Sequence, residues 1–202
     1  MTGMPPLETA RLLIRPFVMT DLEPLHQIVD VELCEADFGN EGAQSLDERR
    51  EWLKWTVLNY DQLAKLYQPP YGDRANVLRQ TGQLIGAIGY VPCLGPFWQL
   101  PGFAVGSGAP ARRGFTAEFG LYYALSPAHQ RQGYTSEAAA AMVRYAFEQI
   151  GLGRVIATTS YDNQGSIGVM RKLGMRIERN PLPEPPWFQV VGILDAPGTG
   201  EP

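Results

Sequence analysis

Residues 126–138, SPAHQRQGYTSEA, join the strongest strand pattern of the chain to its strongest helix pattern. Upstream, Thr116–Leu125 (TAEFGLYYAL) reads as a strand, and Ser126-Pro127 ends it. Downstream, residues 136–150 (SEAAAAMVRYAFEQI) are dominated by alanine in their first turns, carry Glu137 near the positive end of the helix, and stop at Gly151. Another strand, Arg154–Thr159, follows, and a strand–loop–helix–strand succession is a crossover unit. Backbone N–H groups at a helix start have no partner within the helix, and together with the dipole they bind a diphosphate. Gly133 lacks the β-carbon that would obstruct a close approach. Thr135 and Ser136 add hydroxyls, and Gln130, Arg131 and Gln132 add polar or charged groups. These residues point to a phosphate-bearing ligand without saying which, and a glycine that merely permits a tight turn is the competing reading. The segment is neither a P-loop nor a Gly-x-Gly-x-x-Gly dinucleotide turn.

Working outward, residues 11–17 (RLLIRPF) read as a first strand. Thr20 or Asp21 caps a helix with Leu22, Leu25, Ile28 and Val29 on one face. Ser45 opens a second amphipathic helix with Leu46, Leu53, Val57, Leu63 and Leu66 as its apolar positions. Asn59 is the point where it would break, and Pro69 and Pro70 stop it. Residues 76–80 and 84–91 read as strands around a Thr81-Gly82 turn. Residues 92–114, rich in Gly and Pro, read as a loop or insertion. Residues 163–173 form a short helix ending at Gly174, and 175–178 with 188–194 a final strand pair. The expectation is one domain over residues 1–195 with a frayed tail at 196–202, the fraying beginning at Asp195. Its class is α/β, a mixed sheet flanked by helices.

Composition bounds the function. The 202 residues carry 45% hydrophobic and 19% charged side chains and a net charge of −4. That suits a soluble globular domain and excludes the basic face of a nucleic-acid binder. No apolar run approaches a membrane span, no signal peptide is visible, and two cysteines make neither a disulfide framework nor a zinc site, so a cytoplasmic, metal-free chain is expected. His26 and His129 have no nucleophilic partner in sequence, which argues against a triad hydrolase.

The chain resembles the GNAT acetyltransferase superfamily, in particular its ribosomal-protein alanine N-acetyltransferase branch. The run from Gln130 to Thr135 (QRQGYT) fits the acetyl-CoA signature Arg/Gln-x-x-Gly-x-Gly/Ala, departing only at Thr135. LETARLLIRPF (7–17), EFGLYYALSP (118–127) and NQGSIGVMRKLGM (163–175) match in order and spacing. The resemblance runs from about residue 7 to residue 194 and implies a splayed sheet, with acetyl-CoA as co-substrate. Pantetheine would lie along Tyr123, Ala124 and Leu125. The diphosphate would lie on the amides from Arg131 through Gln132, Gly133, Tyr134 and Thr135 to Ser136, beside Gln130. Asn163 would hold pantetheine, and Arg171 is a candidate for the cofactor's phosphates. For catalysis, Glu118 is the candidate general base through water, and Ser166 the candidate donor to the leaving thiolate. Tyr161 is the alternative acid.

The resemblance implies an amine as the acceptor. Glu32, Glu35, Asp37, Glu41, Asp47 and Glu48 form a stretch without Lys or Arg that would attract a cationic one, although a solvated acidic loop explains it as well. The 92–114 segment, with Phe97, Trp98 and Phe103, would either cover the acceptor cleft or pack against a second subunit in a homodimer. The alternative function is a CoA-binding sensor without turnover.

Overall fold

The computed structural model describes residues 3–34, 42–100, 103 and 114–198. They fall into two compact units, one from residues 1–91 and 122–145, the other from residues 92–121 and 146–202.

In the first unit, β1 (Leu7–Glu8) pairs antiparallel with β2 (Leu12–Arg15), and β2 with β3 (Gly72–Leu78). β3 pairs antiparallel with the first part of β4 (Leu84–Gly95), with a register shift between Asn76 and Val77. The end of β5 (Thr116–Leu125) comes next, close enough that a Cβ on Gly86 would sit 2.2 Å from the carbonyl oxygen of Ala124. Gly86 is therefore fixed by this approach. One face of these strands packs under α1 (Leu22–His26), a wide turn Gln27–Glu32 that continues it, and α2 (Leu46–Lys65). Phe17, Leu25, Ile28, Val29, Leu53, Ala75, Val77, Leu84 and Ala87 form that core. Each of the larger side chains among them contributes about 1.5–3 kcal/mol when fully buried. α3 (Tyr134–Tyr145) packs on β1 and β2.

Ser45 caps α2 as expected, its hydroxyl accepting from the Glu48 N–H while Glu48 Oε2 accepts from the Ser45 N–H at 2.8 Å. The helix does not break at Asn59. It runs 20 residues, because its buried positions Arg49, Leu53, Thr56 and Leu63 keep helical spacing through that point. At the first helix, Asp21 accepts from Val18 N–H at 2.9 Å and binds Arg15, so its carboxylate closes the preceding turn. β3 begins at Gly72, ahead of the expected residue 76.

In the second unit, the start of β5 pairs parallel with β6 (Arg154–Thr159), registering at Gly120 and Ile156. β6 pairs antiparallel with β8 (Val190–Asp195), and β8 with β7 (Arg176–Arg179). α4 (Gln164–Lys172) packs on β6, β7 and β8. A Cβ on Gly192 would lie 2.8 Å from Met175 Sδ, so the glycine is what lets the methionines of this layer close on the sheet. Phe97, Leu100, Ile156, Phe188, Val191 and Ile193 make the core. Two boundaries are corrected here. β4 continues through Pro92 to Gly95, and Phe97–Gln99 follows as one tight turn, so the start of the supposed loop is regular structure. Most of the remaining insertion, residues 101–102 and 104–113, lies outside the described residues. Asp195 is not frayed: it ends β8 and accepts from Arg154 Nε at 2.7 Å, and the Ala196 N–H reaches Gly153 O.

The class is α/β with a mixed sheet flanked by helices. Among the described residues no helix is long and apolar enough to cross a membrane.

Candidate functional site

The first unit builds the glycine turn. Where β5 ends, the Ser126 N–H bonds Ile85 O at 2.9 Å, and its buried hydroxyl donates to Glu32 Oε2 at 2.5 Å. After the single turn Pro127–His129, Gln130 Nε2 donates to Leu125 O at 3.0 Å and Gln132 Nε2 to Ala128 O at 3.1 Å. These two amides brace the turn against its own backbone. Arg131 and Gly133 both take positive φ, 60° and 84°. Gly133 does so without steric cost, whereas any other residue there would be strained and would bring its Cβ to 3.4 Å from Arg11 Nη2. The first backbone bond of α3 runs from Glu137 N–H to Gly133 O at 3.0 Å. The amides of Gly133, Tyr134, Thr135 and Ser136 thus precede the helical ladder, in the position where a helix start receives an anion.

A clamp fixes this turn to the edge of the sheet. Glu137 Oε1 accepts from Thr9 Oγ1 at 2.6 Å and from the Arg11 N–H at 2.9 Å, and its Oε2 accepts from Arg11 Nε at 2.6 Å. The Arg11 guanidinium also donates from Nη1 to Gln132 O at 3.0 Å and lies 4.3 Å over the Tyr134 ring. Burial alone would raise the Glu137 pKa, but the bonds from Thr9 and Arg11 outweigh it and hold it below the usual value. Sequence assigned Glu137 to the helix dipole only. Its partners lie 126 and 128 positions away, beyond any local pattern.

The second unit carries the remaining candidates. Glu118, on β5, has a side chain only 18% exposed, and its Oε1 lies 3.4 Å from Arg154 Nη1. Burial raises its pKa, and Arg154 only partly opposes this. Arg154 makes its shorter bond to Asp195 and stacks 5.0 Å from the Phe103 ring. Cys93 is half-buried, its thiol pushed up to about 11 by burial and then by the Glu118 charge. Asn163 is the N-cap of α4, its Oδ1 accepting from the Ser166 N–H at 3.0 Å. Capping therefore falls to Asn163, whose NH₂ group carries its donors. The Tyr161 hydroxyl donates to the Asn180 carbonyl, and its N–H to Gln189 Oε1 at 2.8 Å. Arg171 stands exposed in the last turn of α4. Tyr123, Ala124, Leu125 and the run from Gln130 to Ser136 thus belong to the first unit; Glu118, Tyr161, Asn163, Ser166 and Arg171 belong to the second.

Of the acidic stretch, Glu32 is bound by Ser126, Asp47 pairs with Arg50, and Glu48 caps α2. Glu35, Asp37 and Glu41 lie outside the described residues. His26 Nε2 meets Gln44 O at 3.1 Å on the helix layer, and His129 lies in the turn beside Tyr134. Among the described residues no three His, Cys, Asp or Glu side chains form a group able to hold a metal.

A crossover strand pair and a glycine turn opening a helix define a class of α/β protein that holds a phosphate-bearing ligand at a helix start, and comparison fixes the family. The acetyltransferase (GNAT) domain matches residues 11–176, and the chain belongs to that acetyltransferase family. It is 29% identical over 175 residues to the uncharacterized N-acetyltransferase YoaA of Bacillus subtilis (strain 168), covering 86% of this chain and 84% of that protein. The ribosomal-protein-S5-alanine acetyltransferase of Vibrio fischeri shares the fold with a TM-score of 0.67 at 15% identity, covering 97% of this chain and 99% of that one. RimL, a ribosomal L7/L12 alpha-N-protein acetyltransferase solved with coenzyme A, superposes with a TM-score of 0.60 at 16% identity, covering 92% and 93%. The family uses acetyl-CoA.

Proposed function

We propose that this chain transfers acetyl from acetyl-CoA to a primary amine by direct attack of the neutral amine on the thioester carbonyl. The clamped start of α3 carries the reading. Gly133 at φ 84° and the Arg11–Glu137 pair hold the amides of 133–136 ready for the diphosphate of CoA. Tyr123, Ala124 and Leu125 receive the pantetheine amides, and the Asn163 NH₂ donates to them. In the reaction the N–C bond forms and the C–S bond breaks. Glu118 takes the amine proton through water, the leaving thiolate gains a proton from Ser166, and the proton on Glu118 returns through solvent to restore Ser166. Burial supports Glu118 in this role by raising its proton affinity. The Tyr161 hydroxyl already donates to a backbone carbonyl, which weighs against it as the acid. Alignment of the two reactants supplies much of the acceleration.

Isothermal titration is expected to show binding of CoA and none of ATP or NAD. Thiol release from acetyl-CoA over peptide α-amines, polyamines and aminoglycosides then identifies the acceptor. Absence of CoA binding sinks the reading; binding without thiol release toward any amine favours the sensor instead. Arg11→Ala removes the clamp without touching a reacting group. It is expected to raise the KM for acetyl-CoA about tenfold, or ~1.4 kcal/mol, with kcat at saturation unchanged.

A further inference from the structure

Within the first unit, the outer face of α2 carries apolar side chains that the fold does not use. The helix turns Leu53 and Leu63 inward, Leu53 into the core it shares with Ala75 and Val77. On the side away from that core stand Trp55, Leu58 and Leu66, the last closing the helix. Steps of three and eight residues keep these three on one stripe of a helix. They are 58%, 65% and 66% exposed. Charges flank Leu58 along the same exposed face, Glu51 and Lys54 before it, Asp61 and Lys65 after it. Lys54 Nζ reaches Glu51 Oε1 at 2.6 Å, whereas among the described residues Asp61 and Lys65 make no ion pair.

The order of these charges names the occupant. Along the helix it runs minus, plus, Leu58, minus, plus. Reversed, it runs plus, minus, Leu58, plus, minus. A second copy lying antiparallel therefore sets an opposite charge against every one of the four, while a parallel copy sets like against like. The spacing agrees. Glu51 lies seven residues before Leu58 and Lys65 seven after, so each faces the other across a two-fold axis at Leu58. Lys54 lies four before and Asp61 three after, a mismatch of about 1.5 Å that a lysine side chain spans. We infer that the outer face of α2 is the docking surface for a second copy of this chain, the two helices antiparallel with Leu58 on the axis and Trp55 beside it.

This goes beyond the acetyl-transfer reading and does not rest on it. It moves the expected subunit contact from the 92–114 segment to the helix layer. The glycine turn stays open in such a dimer. α3 lies across the other face of the sheet, where the Tyr90 hydroxyl donates to Met142 O at 2.6 Å. Tyr90 is three residues from Ala87, the register partner of Ala75, and so points to the face opposite the α2 core. One helix per copy makes a small interface, so the dimer is weak, with a Kd on the order of micromolar to tens of micromolar.

The test is sedimentation equilibrium of the full chain from about 5 to about 500 µM. The wild type is expected to pass from monomer to dimer within that range. Leu58→Glu puts two carboxylates on the axis and is expected to stay monomeric throughout. Its Tm should remain within about 2 °C of wild type and its Kd for CoA within about twofold, because most of the side chain faces solvent. Lys54→Glu and Asp61→Lys each set like charges opposite one another, twice per dimer, and are each expected to raise the dimer Kd at least about tenfold. Mixed together, these two single variants are expected to associate with a Kd within about threefold of wild type, since each reversed charge then meets the other. A bilayer or an unrelated protein on this face would not restore association in the mixture. A wild type monomeric at every concentration overturns the inference, as does a dimer that survives Leu58→Glu or a mixture that stays apart. A monomeric wild type that sediments with phosphatidylcholine–phosphatidylglycerol vesicles, where Leu58→Glu does not, overturns it in favour of a lipid surface. Loss of CoA binding would overturn the functional reading alone.

Discussion

Glu118→Gln is expected to lower kcat for acetyl transfer by about 10²–10³-fold while the Kd for acetyl-CoA stays within about twofold. The amide keeps the shape and a hydrogen-bonding oxygen but cannot accept a proton. The size of the loss follows from how the carboxylate is held. A fully formed ion pair with Arg154 would pull its pKa down and make it a poor base. Arg154 instead sits 3.4 Å from Glu118 and 2.7 Å from Asp195, so its closer partner is the strand-end aspartate. Burial then wins, and the Glu118 pKa stays above that of an ordinary glutamate. The acid limb of kcat/KM should therefore lie above the usual glutamate range in the wild type and be absent in Glu118→Gln. Asp195→Asn should move the limb to lower pH, because it removes a neighbouring negative charge and frees Arg154 for Glu118. A rate within threefold of wild type for Glu118→Gln, with Tm as the only quantity changed, would show that the residue is a structural carboxylate.

How much of this was legible in advance varies by element, and the reason is physical. β5 and β6 were read to the residue because strand composition and clear terminators coincide at Thr116–Leu125 and Arg154–Thr159. The glycine turn was legible because Gly133 precedes an alanine-rich helix. β3 and β4 were read too short. Pro69 and Pro70 read as a stop and Pro92 as the start of a loop, yet sheet pairing begins β3 at Gly72 and carries β4 past Pro92. The Arg11–Glu137 clamp was illegible for another reason: neither residue has a local partner, and only the fold brings β1, β2 and α3 together. Glu118, Ser166 and Asn163 came from family resemblance, since nothing about a glutamate on an alternating strand announces a base. Structure added what sequence could not, which groups are already engaged: Tyr161 by Asn180, and Glu32 by Ser126.

Arg49→Ala is expected to cost the largest share of stability, about 3–5 kcal/mol, or a Tm lower by roughly 6–20 °C for a chain of this length. The Arg49 and Asp30 side chains are 5% and 2% exposed and bonded at two points, and Asp30 also accepts from the Gln44 N–H at 2.9 Å. Losing the guanidinium strands a carboxylate where water cannot reach it, which is what makes breaking a buried pair costlier than never having had one. The paired replacement Asp30→Leu with Arg49→Met should therefore recover most of the loss, since two apolar groups of similar volume need no compensation there. A coupling measured by thermal denaturation of the two single variants and the double would read this directly. A loss below about 1 kcal/mol in Arg49→Ala would mean that Asp30 is solvated or protonated in the folded chain.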